Sequence, residues 1–289
     1  MTLFIDSLLA VSITMVALAG LLVTYGLLRI VNLAHGEMIA VGAYAASVAS
    51  STEAGFFVGC AYGFLLGGFL GALLERVVVR RFYGQNIALS LLGTWGISLG
   101  LVQILRLVFG PVGRFVPVPL EGTITFATAD YPAYRVIVLG ISIFILITLI
   151  MAIRSRIGLY IRAAMENQNK AESYGINTKR TFQLTFIIGS GLAGLSGALI
   201  SPIVAIYPGM GTEYTILGFL ALLLAGSHGI NAAVFACILL SLCRSLVAGI
   251  VDANAATLAM YGASLLALLG FSWIDGKLHD NHRLRTWKE

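Results

Sequence analysis

The segment GLLRIVNLAHGEM, residues 26–38, carries four strongly polar side chains in a chain that is otherwise apolar. These side chains belong to Arg29, Asn32, His35 and Glu37. Gly26 and Gly36 bracket the segment, and apolar sequence adjoins it on both sides, which leaves little room for an exposed loop. Two structures fit this spacing: a turn between two helices in water, or a break in a helix inside a membrane, where polar groups usually line a pathway.

The composition indicates a membrane protein with several crossings. Of the 289 residues, 58% are hydrophobic and 11% are charged, and the mean hydropathy is +0.94. A soluble domain carries about 25% charged residues, so most of this surface faces lipid. The net charge of +5 does not indicate nucleic-acid binding, because the basic residues lie in short segments between apolar runs.

Neither the N-terminus nor the cysteines indicate a secreted protein. The sequence MTLFID has no basic residue, and apolar sequence continues past Ala17-Leu18-Ala19, so we expect no cleaved signal peptide. The three cysteines, an odd number without motif spacing, lie in apolar stretches and are expected to be packing residues rather than disulfide or metal ligands.

Apolar windows recur along the chain, and a crossing needs roughly 20 apolar residues. The windows are 3–27, 36–50, 56–79, 86–109, 134–153, 182–204, 214–228, 231–250 and 255–274. Those at 36–50 and 214–228 are short. We therefore predict an all-α helical bundle with about eight or nine crossings and a broken helix near residues 26–38, forming a single transmembrane domain over residues 1–289.

Lysine and arginine placement predicts the orientation of the chain. These residues concentrate in the loop 154–181 and the tail 275–289, while the basic residues of the connection 110–135 are offset by acidic ones. We expect the loop and the C-terminus to be cytoplasmic. Alternating crossings then put the N-terminus outside. Arg106 and Arg244, near span ends, are either anchors that reach the interface or functional residues, and we favour the anchors.

Two stripes of small residues predict close helix packing, since such residues let helix backbones approach each other in lipid. One stripe consists of Gly59, Gly63, Gly67 and Gly71. The other consists of Gly189, Ala193 and Gly197, beside Ser190, Gly194 and Ala198. These stripes indicate a compact bundle and carry no information about a substrate.

The segment 154–181 is the longest well-charged stretch between windows. Residues 162–173 have helix-forming composition, and Gly175 is typical of a helix stop. The segment is either a solvated cytoplasmic helix or a docking helix for a cytoplasmic partner, whose groove could approach closely at small residues such as Ala163 and Ala171.

Several catalytic motifs are missing from the sequence. The chain has no GxxxxGK[ST] phosphate loop, no HExxH, no cluster of cysteine and histidine, and no GxSxG. We therefore expect no catalytic residue, no metal site and no hydrolysis of ATP through a phosphate loop in this chain.

Two segments resemble the LivH-type permease subunits of branched-chain amino acid ABC importers. The first is GLLVTYGLLRIVNLAHGEMIAVGAY, residues 20–44. Its matching positions are Asn32, Ala34, His35, Gly36, Glu37, Gly42, Ala43 and Tyr44. The second, residues 156–199, resembles the cytoplasmic loop of the family and the small-residue helix after it. Its matching positions are Gly158, Arg162, Ala163, Asn167, Ala171, Gly175, Ile176, Asn177 and the run from Gly189 to Gly197.

The resemblance implies a multi-pass subunit of the bacterial inner membrane. Such a subunit works with a second homologous permease, two cytoplasmic ATPases that bind ATP and Mg²⁺, and a periplasmic substrate-binding protein. With the polar break, it predicts a translocation path at Asn32, His35, Gly36, Glu37, Gly42 and Tyr44. It also predicts that the 162–177 helix docks onto an ATPase. The coupling residues are Arg162, Ala163, Glu166, Asn167, Ala171, Gly175 and Asn177, and the packing residues of the next helix are Gly189, Ala193 and Gly197.

The resemblance weakens after residue 205. The chain reads AGSHGINAA at 225–233, where the family has a glycine-rich stretch, and its tail lacks the family's proline-glycine-leucine element. Related permeases carry urea or short amides, so the substrate stays open between these and amino acids. Two other classes also stay open: a secondary transporter that uses His35 and Glu37 as a proton or ion relay, and a passive channel for small neutral solutes.

Overall fold

A computed structural model describes residues 2–28, 31–50, 55–83, 87–126, 129–226, 230–252 and 254–269. Within them the fold is all-α, apart from one hairpin. The helices are α1 (Thr2–Leu28), α2 (His35–Ser50), α3 (Gly55–Val77), α4 (Ile87–Phe109), α5 (Ala133–Arg154), α6 (Arg156–Glu166), α7 (Gln168–Ser173), α8 (Thr178–Ile200), α9 (Gly211–Ala225), α10 (Ile230–Ala248) and α11 (Asn254–Leu269). A 3₁₀ helix covers Val79–Phe82, and β1 (Thr123–Phe126) pairs antiparallel with β2 (Ala129–Pro132).

Six of the described helices are long and apolar enough to cross a membrane: α1, α3, α4, α5, α8 and α10. Helices α2, α9 and α11 are shorter, with α2 at 16 residues and α9 at 15. Each predicted window therefore contains a helix, while the count of eight or nine crossings stays a prediction. Arg29, the end of the last window and the tail 275–289 lie outside the described residues.

Helix α8 lies at the centre of the bundle and packs against α1, α2 and α3. Small residues make this possible, because a Cβ atom on Gly194 would overlap the carbonyl group of Gly63 on α3. The same holds for Gly42 of α2, whose added Cβ would overlap the backbone of Gly194. Close backbone contact of this kind is what drives helix association in lipid.

The outer faces of the bundle are apolar. Leu92 and Leu107 of α4 are 66% and 86% exposed, and Phe144 of α5 is 69% exposed. Exposing these aliphatic and aromatic side chains to water would be unfavourable in free energy, whereas contact with lipid tails is favourable. This arrangement supports the description of the chain as a membrane protein with several crossings.

The segment 162–173 does not form one helix. It is divided between α6 and α7 at Asn167, whose backbone is extended with φ −155° and ψ 103°. The Asn167 side chain accepts a hydrogen bond from the Lys170 backbone N–H at 2.9 Å and so caps α7. Asparagine competes for backbone groups in this way, which explains why helix-forming composition failed to predict the break.

One of the three cysteines departs from its predicted packing role. Cys60 of α3 and Cys237 of α10 are buried, but Cys243 of α10 is exposed on the surface of the chain. The prediction failed for Cys243 because apolar neighbours in sequence do not tell which side of a membrane helix meets other helices.

Candidate functional site at the start of α2

The polar segment interrupts the helical path between α1 and α2. Helix α1 ends at Leu28 and α2 begins at His35, and residues 31–34 are not helical. Asn32 directs the new start: its side-chain oxygen accepts a hydrogen bond from Ala34 N–H at 3.1 Å, and its carbonyl accepts one from His35 N–H at 3.2 Å. An asparagine side chain that accepts from the N–H two residues further on forms a turn, and this turn leads into α2.

Helix α4 holds the interruption from one side through two hydroxyl groups. The backbone N–H of Leu33 donates to Thr94 Oγ1 at 3.1 Å. Ser98, one turn further along α4, donates from its hydroxyl to Glu37 Oε1 at 3.1 Å. These contacts fix the position of the Glu37 carboxyl group relative to the non-helical segment.

Several polar atoms at this site have no hydrogen-bond partner among the described residues. They are both ring nitrogens of His35, Oε2 of Glu37 and Nδ2 of Asn32. The three residues are at most 1% exposed. The carbonyl of Ala17 lies near the imidazole, yet neither ring nitrogen makes a bond of good geometry. An unsatisfied buried polar group costs about 1–3 kcal/mol, so a cluster of such groups calls for an explanation other than stability and marks a candidate binding site.

A second helix begins at the same point. A Cβ atom on Gly36 would lie 2.7 Å from the carbonyl of Gly211, the first residue of α9, and 2.8 Å from Thr215 Oγ1. The side chain of Thr212, also on α9, lies beside the Glu37 carboxyl group. The N-terminal ends of α2 and α9 thus meet, and the free N–H groups of both ends favour a negatively charged group.

Not all the predicted path residues gather here. Asn32, His35, Gly36 and Glu37 form the start of α2, whereas Gly42 packs on Gly194 of α8. Tyr44 stacks on Phe109 with ring centroids 4.2 Å apart, and it lines a separate apolar cavity of about 430 Å³ between α2, α3 and α4. Tyr44 and Gly42 therefore lie away from the unpartnered polar cluster.

The predicted coupling residues divide into exposed and structural positions. Arg162 and Glu166 of α6 are exposed, and the Arg162 guanidinium donates to the carbonyl of Ile153 at 2.8 Å. Ala171 of α7 is 3% exposed and packs in the core. Ala163 is half-buried. The remaining predicted coupling residues, Asn167, Gly175 and Asn177, set the turns of the backbone.

Gly175 and the two asparagines set the turns of this segment. Gly175 adopts φ +82° at the end of α7, a conformation that favours glycine. Asn167 caps α7, and Asn177 caps α8 by accepting from Arg180 N–H at 3.0 Å. These three residues fix the turns at both ends of α7 and thereby the orientation of the exposed residues of α6.

The predicted packing residues of α8 are buried. Gly189 lies against Gly20 and Thr24 of α1, and Gly197 lies against the carbonyl of Ile39 on α2. Ala193 is fully buried in the cluster between α1, α2 and α8.

Sequence reasoning missed the partners of the α2 start. Thr94 and Ser98 are four residues apart within an apolar window, and this spacing was the available signal for a polar face on α4. Gly211 and Thr212 gave none, since they precede the window 214–228 and belong to no motif of their own. Arg244 was interpreted as an anchor, but it forms an ion pair with Glu213 of α9. Among the described residues, no group of three histidine, cysteine or acidic side chains could hold a metal ion.

The comparisons with known proteins agree on one family. The family model for the permease component of the branched-chain amino acid transport system matches residues 3–269. BraD of Pseudomonas aeruginosa, a high-affinity branched-chain amino acid transport system permease protein, is 27% identical over 266 residues, covering 86% of this chain and 87% of the relative. LivH of Escherichia coli K12, with the same description, is 26% identical over 268 residues, covering 86% of each.

A more distant relative is a probable branched-chain amino acid transport permease protein LivH of Methanocaldococcus jannaschii. It is 24% identical over 245 residues, covering 79% of this chain and 75% of the relative. No solved structure matches the chain.

Proposed function

We propose, from the premise that the chain belongs to the family of branched-chain amino acid transport permease components, that it forms the translocation path of an ATP-binding-cassette importer for branched-chain or other amino acids. The observation that carries this proposal is the meeting of two helix starts, at Gly36 and Gly211, around unpartnered polar side chains. The relatives named above are described as branched-chain amino acid permeases, which supports this substrate class.

The depth of the α2 start supports a position on the path. The Cε1 atom of His35 lies 2.9 Å from where a Cβ atom of Gly20 would be, so His35 is level with Gly20 of α1. Gly20 precedes the end of α1, at Leu28, by eight residues, which corresponds to about 12 Å along the helix axis. We infer that α2 begins inside the membrane and that residues 26–38 form a broken helix. With α2 and α9 as short crossings beside the six long helices, the total reaches eight, and with α11 it reaches nine.

The chemistry of this junction suits an amino acid. Two helix N-termini offer N–H groups and positive dipole ends to a carboxylate, as in transporters with discontinuous helices. The carboxyl group of Glu37 offers an acceptor to an ammonium group, and Ser98 holds it in place. The proposed path residues are Asn32, His35, Gly36 and Glu37. Gly42 and Tyr44 lie further along α2 and support the path indirectly, Gly42 by packing α2 on α8.

The cavity at the ends of α1, α5 and α8 supports the predicted orientation. Leu27 near the end of α1, Ile153 near the end of α5 and Thr181 near the start of α8 line one cavity of about 350 Å³. These three helix ends therefore lie on the same side of the bundle. If the basic segment 154–181 is cytoplasmic, α1 runs inward and the N-terminus lies outside.

The proposed assembly contains four other kinds of component. They are a second homologous permease, two cytoplasmic ATPases that bind ATP and Mg²⁺, a periplasmic binding protein and membrane lipid, in the bacterial inner membrane. The chain itself is proposed to bind no cofactor and no nucleic acid. Coupling to an ATPase is proposed at α6 and α7, where Arg162 and Glu166 are exposed.

The test is to extract the full chain gently from its native membranes and identify the proteins that co-purify. We expect two phosphate-loop ATPases and a second permease. The isolated assembly, reconstituted in vesicles with its binding protein, should then take up leucine when ATP is supplied. Uptake of urea or acetamide instead of leucine would move the substrate to the amide class. A lone chain that transports without ATPase would contradict the importer, and would favour a relay through His35 and Glu37.

A further inference from the structure

An ion pair joins α9 to α10 on the surface of the chain. Glu213, in the first turn of α9, accepts a hydrogen bond from the guanidinium of Arg244. The Arg244 side chain is 30% exposed and that of Glu213 is 39% exposed. The pair is therefore formed within the chain, yet a large part of both charged groups faces outward.

The pair lies at the level of the middle of α1. Gly218 of α9 packs on Leu18 and Leu21 of α1. Thr212, the residue before Glu213, lies beside the Glu37 carboxyl group, two residues after His35, which is level with Gly20 of α1. This places Glu213 opposite the central part of α1, inside the membrane-spanning layer.

A surface with exposed charges at this depth is not suited to lipid tails, because a charged side chain in hydrocarbon is expensive even when paired. Further polar side chains surround the pair. Thr212 of α9 is exposed and Tyr207 is 44% exposed. Tyr261 of α11 lies within electrostatic range of both Glu213 and Arg244. The outer faces of α4 and α5, with Leu92, Leu107 and Phe144, show what a lipid-facing surface of this chain looks like.

The face around the pair is continuous with the proposed translocation site. Thr212 lies beside the carboxyl group of Glu37 on one side, and the next residue, Glu213, pairs with Arg244 on the other. Only this first turn of α9 separates the unpartnered polar cluster from the outward-facing ion pair. A second permease placed here would cover the charges and would enclose the path between the two subunits.

We propose, resting on the function above, that the second permease subunit packs on the face formed by the start of α9, the end of α10 and the adjoining part of α11. The Glu213–Arg244 pair lies at the border between this interface and the path. Lipid covers the faces of α4 and α5.

The exposed Cys243, next to Arg244, provides the test. The chain has three cysteines, and the other two are buried. A Cys60→Ala/Cys237→Ala variant leaves Cys243 as the single thiol, to be labelled in membranes with a thiol-reactive benzophenone and photolysed. The matched control removes all three cysteines and carries Leu99→Cys on α4, where Leu99 is 52% exposed. Mass spectrometry identifies the photoproducts from both.

From Cys243 we expect a cross-linked product with a second permease or a second copy of this chain, at least tenfold more abundant than from the Leu99→Cys control. If the cysteine replacements prevent folding, the unaltered chain serves instead, because its buried thiols react slowly. Photoproducts with lipid alone from Cys243, or with a protein that is not a permease, would overturn the proposed interface. ATP-driven uptake by the same preparation separates this failure from failure of the importer function.

A second variant tests the role of the charges. Glu213→Gln/Arg244→Gln should lower the amount of second permease that co-purifies by at least tenfold, while the ATPases remain bound. The control is Arg80→Gln, which removes another ion pair, with Glu75, at the end of α3. Equal retention of the second permease in both variants would show that the Glu213–Arg244 pair only joins α9 to α10.

Discussion

The contact between α3 and α8 and the junction between α2 and α9 both use glycine for close approach, but they differ in how many polar atoms are left without a partner. Between α3 and α8, Gly63 and Gly194 bring two long helices together, and the Ser190 hydroxyl, opposite Gly71, has no hydrogen-bond partner among the described residues. At the junction, Gly36 and Gly211 bring two helix starts together around His35 and Glu37, whose polar atoms are only partly satisfied.

This difference separates stability from function within one bundle. Close packing lowers the free energy of the folded state, as the contact between α3 and α8 does. Unpartnered buried groups raise it, by about 1–3 kcal/mol each. The stability of the fold does not explain a cluster of such groups, whereas the proposed translocation path does.

The largest effect is expected at the contact between α3 and α8. Gly194→Ala introduces a Cβ atom that overlaps the backbone of Gly63, and a helix backbone cannot move aside as a flexible side chain can. We expect a loss of about 3 kcal/mol in the free energy of unfolding, at the upper end for overpacking. The measurement is the yield of folded protein from membranes and its thermal unfolding midpoint in detergent.

Gly96→Ala is the matched control for Gly194→Ala. Nothing lies within 4 Å of an added Cβ atom at Gly96 on α4, so alanine fits there. It is also the better helix former, by about 1 kcal/mol in water, and stability should be unchanged or higher. Similar unfolding midpoints for the two variants would contradict the close approach of α3 and α8.

The next largest effect is expected at the junction, where a variant should reduce transport and leave the stability of the fold nearly unchanged. His35→Ala/Glu37→Gln removes both ring nitrogens of His35 and replaces the Glu37 carboxyl group by an amide. The unfolding temperature should change little, because the loss of two unsatisfied buried nitrogens offsets the cavity that the shorter side chain leaves. ATP-driven leucine uptake by the reconstituted assembly should fall at least tenfold.

Ser196→Ala is the control for the junction variant, since its hydroxyl bonds only within α8. It should leave uptake close to that of the unaltered chain. Normal uptake by the folded His35→Ala/Glu37→Gln variant would remove both residues from the proposed path.

Local sequence was sufficient to predict the long apolar helices of this fold, and insufficient to predict the division at Asn167 or the site. The windows located these helices because hydrophobic length is a local property, and the polar segment after Gly26 contains the end of α1 and the start of α2. The residues that complete the site come from distant parts of the chain: Ser98 is 61 positions from Glu37, and Gly211 belongs to another helix. The sequence of one segment does not show which other helix will start beside it, because that depends on the packing of the whole bundle.

A smaller effect is expected from Ser98→Ala, which tests whether the position of Glu37 matters. The variant removes the hydrogen bond at 3.1 Å and leaves Glu37 Oε1 without that donor. The loss of a partner for a buried acceptor should cost about 1–3 kcal/mol of stability, and uptake should fall several-fold with the charge of Glu37 intact.

The control for Ser98→Ala is Ser98→Thr, which keeps a hydroxyl group at the same position. It should recover uptake, because a threonine hydroxyl can donate to the same oxygen. If neither variant changes uptake, the position of the Glu37 carboxyl group is not set by α4.

The smallest effect is expected where neither close packing nor unpartnered polar atoms are present, at the exposed cap of α7. Asn167→Ala removes the hydrogen bond from Lys170 N–H and should cost about 1 kcal/mol, while Asn167→Gly should cost only a few tenths. Hydrogen exchange of the α7 amides should therefore rise in the alanine variant and change little in the glycine variant.

Because α7 connects exposed α6 to α8, a fraying cap should also reduce the ATPase activity that substrate stimulates, with basal uptake of the glycine variant preserved. Equal exchange in both variants would show that α7 is held by the burial of Ala171 rather than by its cap, which would place this segment with the packed contact of α3 and α8 rather than with the junction.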